Sequence, residues 1–370
     1  MTTVSLWPQR VLLLSPFPGW PLLHGSIVRT HHLARFLSAE RRVWLVCRPN
    51  APPDLPQVIL NHPNRFRQLL PLALLRRLTR LIRQENIELI LVSHYWSLGL
   101  GLALRGLTGR PLLFDDHNAE YLRFRRQGSR LWPWIGLVEG LGCRAAAGVL
   151  CVSETDQAFL AQGLRLPPAK LQVIPNGADV AMLQEVPVDP ARVRAGLGLA
   201  AEERMVLFYG TLAHRPNHAA VEVIRQHLAP QVNARFVVAG VGGHAYAAAQ
   251  PQLPSNLHML DFVEDIVALI KSADVVIAPL TGGSGTRFKI IEAAACGRPV
   301  ISTSLGAEGL DREAFGDALT ICDDWPGFAL CIRQRLAAPL TWQPSPRFEA
   351  LYAWRNIFGR IDFNRLRPAP

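Results

Sequence analysis

The stretch TGGSGTRFKIIEAAACGRPVISTSLGAEGL, residues 281–310, decides how this chain is read. It follows an apolar run, Asp274-Val-Val-Ile-Ala-Pro-Leu280, that reads as a buried strand. A Gly/Ser/Thr loop opens it, and a helix is predicted from Gly285 to Cys296. The chain then turns at Gly297-Arg-Pro299 into another strand at Val300-Ile-Ser302. A small-residue loop ahead of a helix leaves backbone N–H groups free to face an anion, and the helix dipole favours negative charge there. Ser284 is the expected N-cap. Arg287 and Lys289 add positive charge, and Glu292 offers an acceptor for hydroxyl groups. Amides for phosphate and a carboxylate for hydroxyls together describe a sugar nucleotide. A blander reading stays open at this point. Many αβ crossovers begin with Gly and Ser for turn geometry alone, and Glu292 can pair with Lys289 on a solvated helix face.

Outward from that unit, 370 residues exceed one typical core, so two domains are expected. Hydrophobic residues make up 49% of the chain and charged residues only 18%, which is ample material for two cores. The net charge of +10 suits anionic partners: phosphates, nucleic acid or an acidic membrane surface. Arg10 is followed by only Val11 to Leu14 before Ser15-Pro16, too short for the apolar region of a secretory signal. The longest uncharged apolar stretch, Leu89 to Leu104, holds His94, Gly99 and Gly101 and reads as a strand plus the start of a helix. The six cysteines form no C-x-x-C pair, as expected for buried thiols in a reducing compartment. A cytoplasmic protein, with peripheral contact at the inner face of the membrane as an option, fits these features.

In chain order, the segments 10–15 and 41–47 are strands around a helix at 26–39, and a Pro/Gly loop at 16–25 lies at the carboxyl end of the first strand. In open α/β sheets ligands bind at such ends. Further strands are predicted at 88–93, 111–115 and 148–152, with a turn signal at 173–177. Residues 187–203 read as the linker between domains. The second half repeats the alternation, with strands near 205–209, 235–239, 256–260, 274–278 and 300–302. Such alternation predicts parallel sheets covered on both faces.

Three clusters stand apart. Residues 64–84 interleave arginines, from Arg65 to Arg83, with Leu and Ile; this is either a helix with a solvated basic face or a contact for anionic lipid. The run from Arg123 to Trp134 is a second basic and aromatic cluster, either part of one membrane-facing patch or a mobile loop. Asp115-Asp-His-Asn118 with Glu120 closes a strand, and His117 is the natural proton handler or hydrogen-bond partner there. An Asx-type cap with an idle histidine is the alternative. No His/Asp/Glu cluster has metal-ligand spacing, so no metal and no cofactor are expected. The basic clusters flank Trp and Leu rather than forming a base-reading module, so nucleic acid is not an expected partner.

These halves and the 281–310 unit together resemble the retaining glycosyltransferases of GT-B fold, family 4 (group 1). The most specific match is Gly283-Ser-Gly-Thr-Arg-Phe-Lys-Ile-Ile-Glu-Ala-Ala-Ala-Cys-Gly-Arg-Pro-Val300, similar to G-x-G-[TL]-x-x-K-x-x-E-A-x-A-x-G-x-P-V. Val173-Ile-Pro-Asn-Gly-Ala-Asp179, Phe208-Tyr-Gly-Thr-Leu212 and Arg215-Pro-Asn217 support it. The resemblance implies two Rossmann-like α/β domains facing across a cleft. They would span 1–190 and 191–345, with a C-terminal helix at 346–370 crossing back to the first. It implies a nucleotide-sugar co-substrate, UDP- or GDP-linked, and a glycan or lipid-linked acceptor. Glu292 would hold the ribose, and the amides of Gly283, Ser284, Gly285 and Thr286 would face sugar and diphosphate, beside Gly210. Arg215, Arg287 or Lys289 would neutralise phosphate. His117 would lie near the donor sugar's C6 hydroxyl, and Gly25 and Arg29 would form the acceptor and phosphate loop. Many relatives carry E-x7-E; here Ser284 stands at the first position and Glu292 at the second. A sugar-nucleotide epimerase and a non-catalytic nucleotide-sugar binder are the competing readings.

Overall fold

The computed structural model describes residues 7–18, 25–48, 50, 58–60, 72–126, 128–200, 202–282 and 288–366. The chain divides into two compact units, residues 1–176 with 354–370, and residues 177–353.

Unit 1 is built on a parallel sheet of strands β1 (Arg10–Pro18), β2 (Arg42–Arg48), β3 (Val58–Leu60), β4 (Leu89–Ser93), β5 (Leu112–Asp116), β6 (Gly148–Cys151) and β7 (Leu171–Val173), in the order β3-β2-β1-β4-β5-β6-β7. The helices between them are α1 (Gly25–Ser38), α2 (Leu72–Gln84), α3 (Leu98–Thr108), α4 (Glu120–Arg126), α5 (Trp132–Ala145) and α6 (Glu154–Gly163). The central strands β1 and β4 carry the apolar runs Val11 to Leu14 and Leu89 to Val92 because both faces are covered. Leu12 and Leu14 point into a core shared with Leu78 of α2, Leu98 of α3 and Cys143 of α5, whereas α1 packs on the opposite side against the C-terminal tail.

Unit 2 holds α7 (Val180–Glu185) and α8 (Pro190–Gly196), then β8 (Met205–Tyr209), α9 (Arg215–Val223), β9 (Arg235–Ala239), α10 (Gly243–Ala249), β10 (Leu257–Leu260), α11 (Ile266–Ser272), β11 (Val275–Ala278) and α12 (Phe288–Ala295). It continues with β12 (Val300–Ser302), α13 (Arg312–Phe315), β13 (Leu319–Ile321), α14 (Trp325–Ala337) and α15 (Pro346–Tyr352). Its parallel sheet has the order β10-β9-β8-β11-β12-β13. The chain reverses its direction of sheet growth between β8 and β11, as it does between β1 and β4 in unit 1. Those switch points open a crevice at the carboxyl ends of the strands.

The units part elsewhere than at 190/191 and 345/346. The segment expected as a linker contains α8, which packs on α11, and Arg194 bonds the Ser272 carbonyl and Asp274. At the other end, Phe348 and Tyr352 belong to the core of unit 2. Only from α16 (Trp354–Phe358) does the tail join unit 1, where the Trp354 ring stacks 5.2 Å from His32. The two crossing segments run side by side: the Ala178 amide donates to the Tyr352 carbonyl at 2.8 Å.

Candidate functional site

In unit 1 the register of β4 against β5 sets Ser93 beside Asp115 at the carboxyl end of both strands. Asp115 is fully buried and meets Arg29 of α1, which is 1% exposed. The Arg29 guanidinium bonds Asp115 through Nε at 3.0 Å and Nη2 at 2.7 Å. Its Nη1 donates to the Pro175 carbonyl at 3.0 Å and to Asn176 Oδ1 at 3.1 Å. This is a correction to the expectation that Arg29 serves a phosphate. All three nitrogens are engaged inside unit 1, because an unpaired guanidinium or carboxylate at that depth is far more costly than the bonded pair. Burial opposes ionisation of Asp115, but the Arg29 charge and the His117 N–H more than offset it and hold the carboxyl well below the usual carboxylate range.

His117 leaves β5 with Nε2 2.9 Å from Asp115 Oδ2 and 2.9 Å from Ser93 Oγ. An ionised carboxylate only accepts, so Nε2 carries the proton. Ser93 Oγ lies 2.6 Å from Thr30 Oγ1, and Thr30 donates to the Ser26 carbonyl at 2.8 Å. That chain orients Ser93 to donate to Thr30 and accept from His117. The ring is fixed, and its Nδ1 is buried with no hydrogen-bond partner among the described residues. A buried polar atom in that condition calls for an explanation.

His94 stands next to it, with rings 5.5 Å apart at right angles. Its backbone has φ +76, outside the ordinary region for a side-chain-bearing residue and of the kind that clusters at functional sites. Sequence reasoning passed over His94, Ser93 and Asn176. For Ser93 and His94 the only signal is position at the end of an apolar strand, whereas Asn176 lies in the segment 173–179 that carries part of the family resemblance. Behind this network lies an acidic group. Burial, with Glu139, Glu120 and Asp156 close by, pushes the Asp116 carboxyl well up.

In unit 2, β8 ends at Tyr209-Gly210. Gly210 takes φ +144 and runs so close to its neighbours that an added Cβ would lie 2.7 Å from Asn217 Nδ2 and 3.1 Å from Lys289 Nζ. Gly240 is equally confined, with the Gly210 carbonyl 2.2 Å from its would-be Cβ. The glycines thus allow α9 and α12 to converge on the end of β8. The Tyr209 hydroxyl lies 2.8 Å from the Lys289 carbonyl and 3.2 Å from Glu292 Oε2, spanning one turn of α12. Lys289 Nζ donates to Asn217 Oδ1 at 2.9 Å and sits 4.1 Å from the centre of the Phe208 ring. Burial raises the Glu292 carboxyl, although the Tyr209 hydroxyl and Lys289 pull it down.

The expected donor residues therefore divide. Glu292, Lys289 and Gly210 come together at the switch point of unit 2. Arg215 begins α9, next to this cluster, with its side chain exposed. Gly283, Ser284, Gly285, Thr286 and Arg287 lie outside the described residues, and α12 is described from Phe288. Gly25 is the first residue of α1. The arrangement offers a carboxylate and an ammonium group to a polyhydroxylated anion, and in unit 1 a fixed imidazole with one unpartnered nitrogen.

Residues 24–182 match the family described as Glycosyltransferase Family 4, and residues 203–337 match the one described as Glycosyl transferases group 1. Between them the two take in most of the chain. The D-inositol 3-phosphate glycosyltransferase of Frankia alni is 28% identical over 253 residues, covering 62% of this chain and 60% of that protein. The protein of the same name from Thermobispora bispora is 26% identical over 239 residues, covering 59% and 55%. The chain thus spans little more than half the length of the curated relatives it matches. Among solved structures, Anabaena HepE in complex with UDP and glucose superposes with a TM-score of 0.74 at 20% identity, over 95% of this chain and 98% of that one. The sucrose-phosphate synthase of Thermosynechococcus elongatus gives 0.76 at 20% identity, over 95% and 97%. These likenesses show a shared fold across nearly the whole length.

Proposed function

This chain belongs to the family 4, group 1 glycosyltransferases of the GT-B fold, and on that premise we propose that it is a retaining hexosyltransferase. It moves a hexose-type sugar from a UDP- or GDP-linked donor to a glycan or lipid-linked acceptor. The observation that carries this reading is the convergence of Glu292, Tyr209, Lys289 and Asn217 on the carboxyl end of β8. Glu292, steadied by the Tyr209 hydroxyl, accepts from the ribose hydroxyls. Glycosyl transfer builds positive charge on the sugar and negative charge on the departing diphosphate. Lys289, with Arg215 or Arg287 and the amides of residues 283–286, stabilises that departing charge. Cationic side chains and amides serve here in place of a metal. His117 Nδ1 accepts from a hydroxyl of the transferred sugar, and the leaving diphosphate takes the acceptor's proton. The UDP in the HepE complex supports a uridine donor in particular.

No helix among the described residues is long and apolar enough to cross a membrane. The reading places the protein in the cytoplasm, peripheral to the inner face of the membrane, where a lipid-linked acceptor is presented.

A thermal-shift panel of UDP-, GDP-, ADP- and dTDP-sugars tests the assignment. One donor class is expected to stabilise the protein, by about 2.7 kcal/mol at a hundredfold excess over Kd. Glu292→Ala is expected to weaken that donor at least tenfold by calorimetry, since it removes a charge-assisted bond of about 1.5–3 kcal/mol. Absence of stabilisation by every donor, or parental affinity in Glu292→Ala, would overturn it.

A further inference from the structure

Helix α5 is built inside out. Its inward face carries Glu139, Gly140 and Cys143, all buried, whereas Leu131, Trp134, Leu137 and Leu141 are 51–66% exposed. The spacing 134, 137, 138, 141 places the apolar bulk on one side of the helix. What seats the helix is close approach and a cap. An added Cβ at Gly142 would meet Leu98 Cδ2 at 2.1 Å, and one at Gly136 would meet Tyr121 Cβ at 3.2 Å. Glu139 reaches under the start of α4, accepting from the Glu120 amide at 2.7 Å and the Tyr121 amide at 3.0 Å. A single exposed leucine needs no explanation, but a contiguous row of them does.

Charge on the same side of unit 1 is segregated just as sharply. Between residues 72 and 145 every Asp and Glu is buried or half-buried, while Arg76, Arg77, Arg80, Arg105, Arg125 and Arg130 are exposed. Helices α2 and α5 both pack on α3 and share one core, so these arginines and the apolar row belong to one helical layer. The Arg125 guanidinium sits 5.4 Å from the Trp132 ring centre, at the edge of the row.

We propose that the outer face of α5 is a docking wedge for a bilayer containing anionic phospholipid. Trp134, Leu137, Val138 and Leu141 enter the interfacial layer, and the arginines of α2, α3 and the turn before α5 meet headgroup phosphates. An apolar stripe framed by Arg and carrying Trp has the composition of a helix that lies in the membrane interface. A second copy of this chain fits the face poorly, because it would set arginine against arginine with no exposed carboxylate to separate them.

The test is flotation of the full chain with vesicles, at low and high salt. It needs no sugar donor, so its outcome is independent of the donor-site assignment. With equimolar phosphatidylcholine and phosphatidylglycerol the protein floats, more weakly as salt rises, and pure phosphatidylcholine binds it at least tenfold less. Leu137→Asp with Leu141→Asp lowers binding at least tenfold at either salt, with an unchanged unfolding midpoint, since both positions are exposed. Arg76→Ala, Arg77→Ala and Arg80→Ala together remove the preference for anionic vesicles. The proposal fails if the protein floats with neither vesicle, if it binds both equally, or if the double aspartate variant floats like the parent. It fails also if the parent forms a dimer that the double variant abolishes, which would give the face to a second copy.

Discussion

Asp115 is the residue on which unit 1 turns. It neutralises Arg29, fixes the His117 proton on Nε2 and stands beside Ser93 by strand register. Sequence reasoning reached His117 through the polar run that closes β5, but gave Arg29 to a phosphate. The error has a physical source. That role came from the family resemblance alone, and the arginine's partner lies 86 residues away, visible only once α1 is laid across the sheet. Asp115→Asn leaves the Arg29 charge buried without compensation. It is expected to destabilise unit 1 by about 3–5 kcal/mol in denaturant unfolding. A loss under about 1 kcal/mol, the range of an exposed pair, would mean that water reaches this site and that the pair does not organise it.

Elements with strong local pattern were legible in the sequence, and those defined by their surroundings were not. The strands β1, β4, β8 and β11 announce themselves because both faces are covered and each carries an apolar run of at least four residues. The short edge strands β3, β7 and β13 were missed; each is three residues long, too short for any periodicity. Helix α12 was legible through its small and apolar residues, from Ile290 to Ala295. Helix α5 shows the limit from the other side. A periodic pattern reveals that a helix has two faces, but not which of them is turned inward. There the glycines decide, because they let the backbone approach α3 and α4 closely. Gly142→Ala puts a methyl group into the space of the Leu98 side chain, only 2.7 Å from its Cγ. This overpacking is expected to cost about 1–3 kcal/mol and to lower the unfolding midpoint by several degrees. A midpoint equal to the parent's would show that α5 is loosely seated.

At the scale of the whole chain, unit 1 is completed by residues that come after unit 2, so neither unit is a simple half of the sequence. The tail supplies Ile357 and Phe358, both fully buried, together with the Trp354 ring against His32. That contact ties the stability of unit 1 to pH. Burial, reinforced by His31 and Arg35 alongside, lowers the His32 pKa from 6.5 to about 3. The folded state therefore holds His32 neutral over a range in which the unfolded chain binds a proton there. The unfolded state gains that proton as pH falls through 6.5, so stability is lost progressively on acidification until the folded pKa is reached, near 3. The limiting slope is about 1.4 kcal/mol per pH unit, and the part of the ring that meets solvent keeps the real slope below it. His32→Phe retains the stack on Trp354 without a titrating group. Denaturant unfolding of parent and variant at about pH 7 and about pH 4 isolates the effect, because every other ionisable group is common to both. The parent should lose more stability than the variant on acidification, and the loss should fall in the transition of unit 1. Parallel losses would mean that His32 is protonated in the folded protein and that the tail does not exclude water from it.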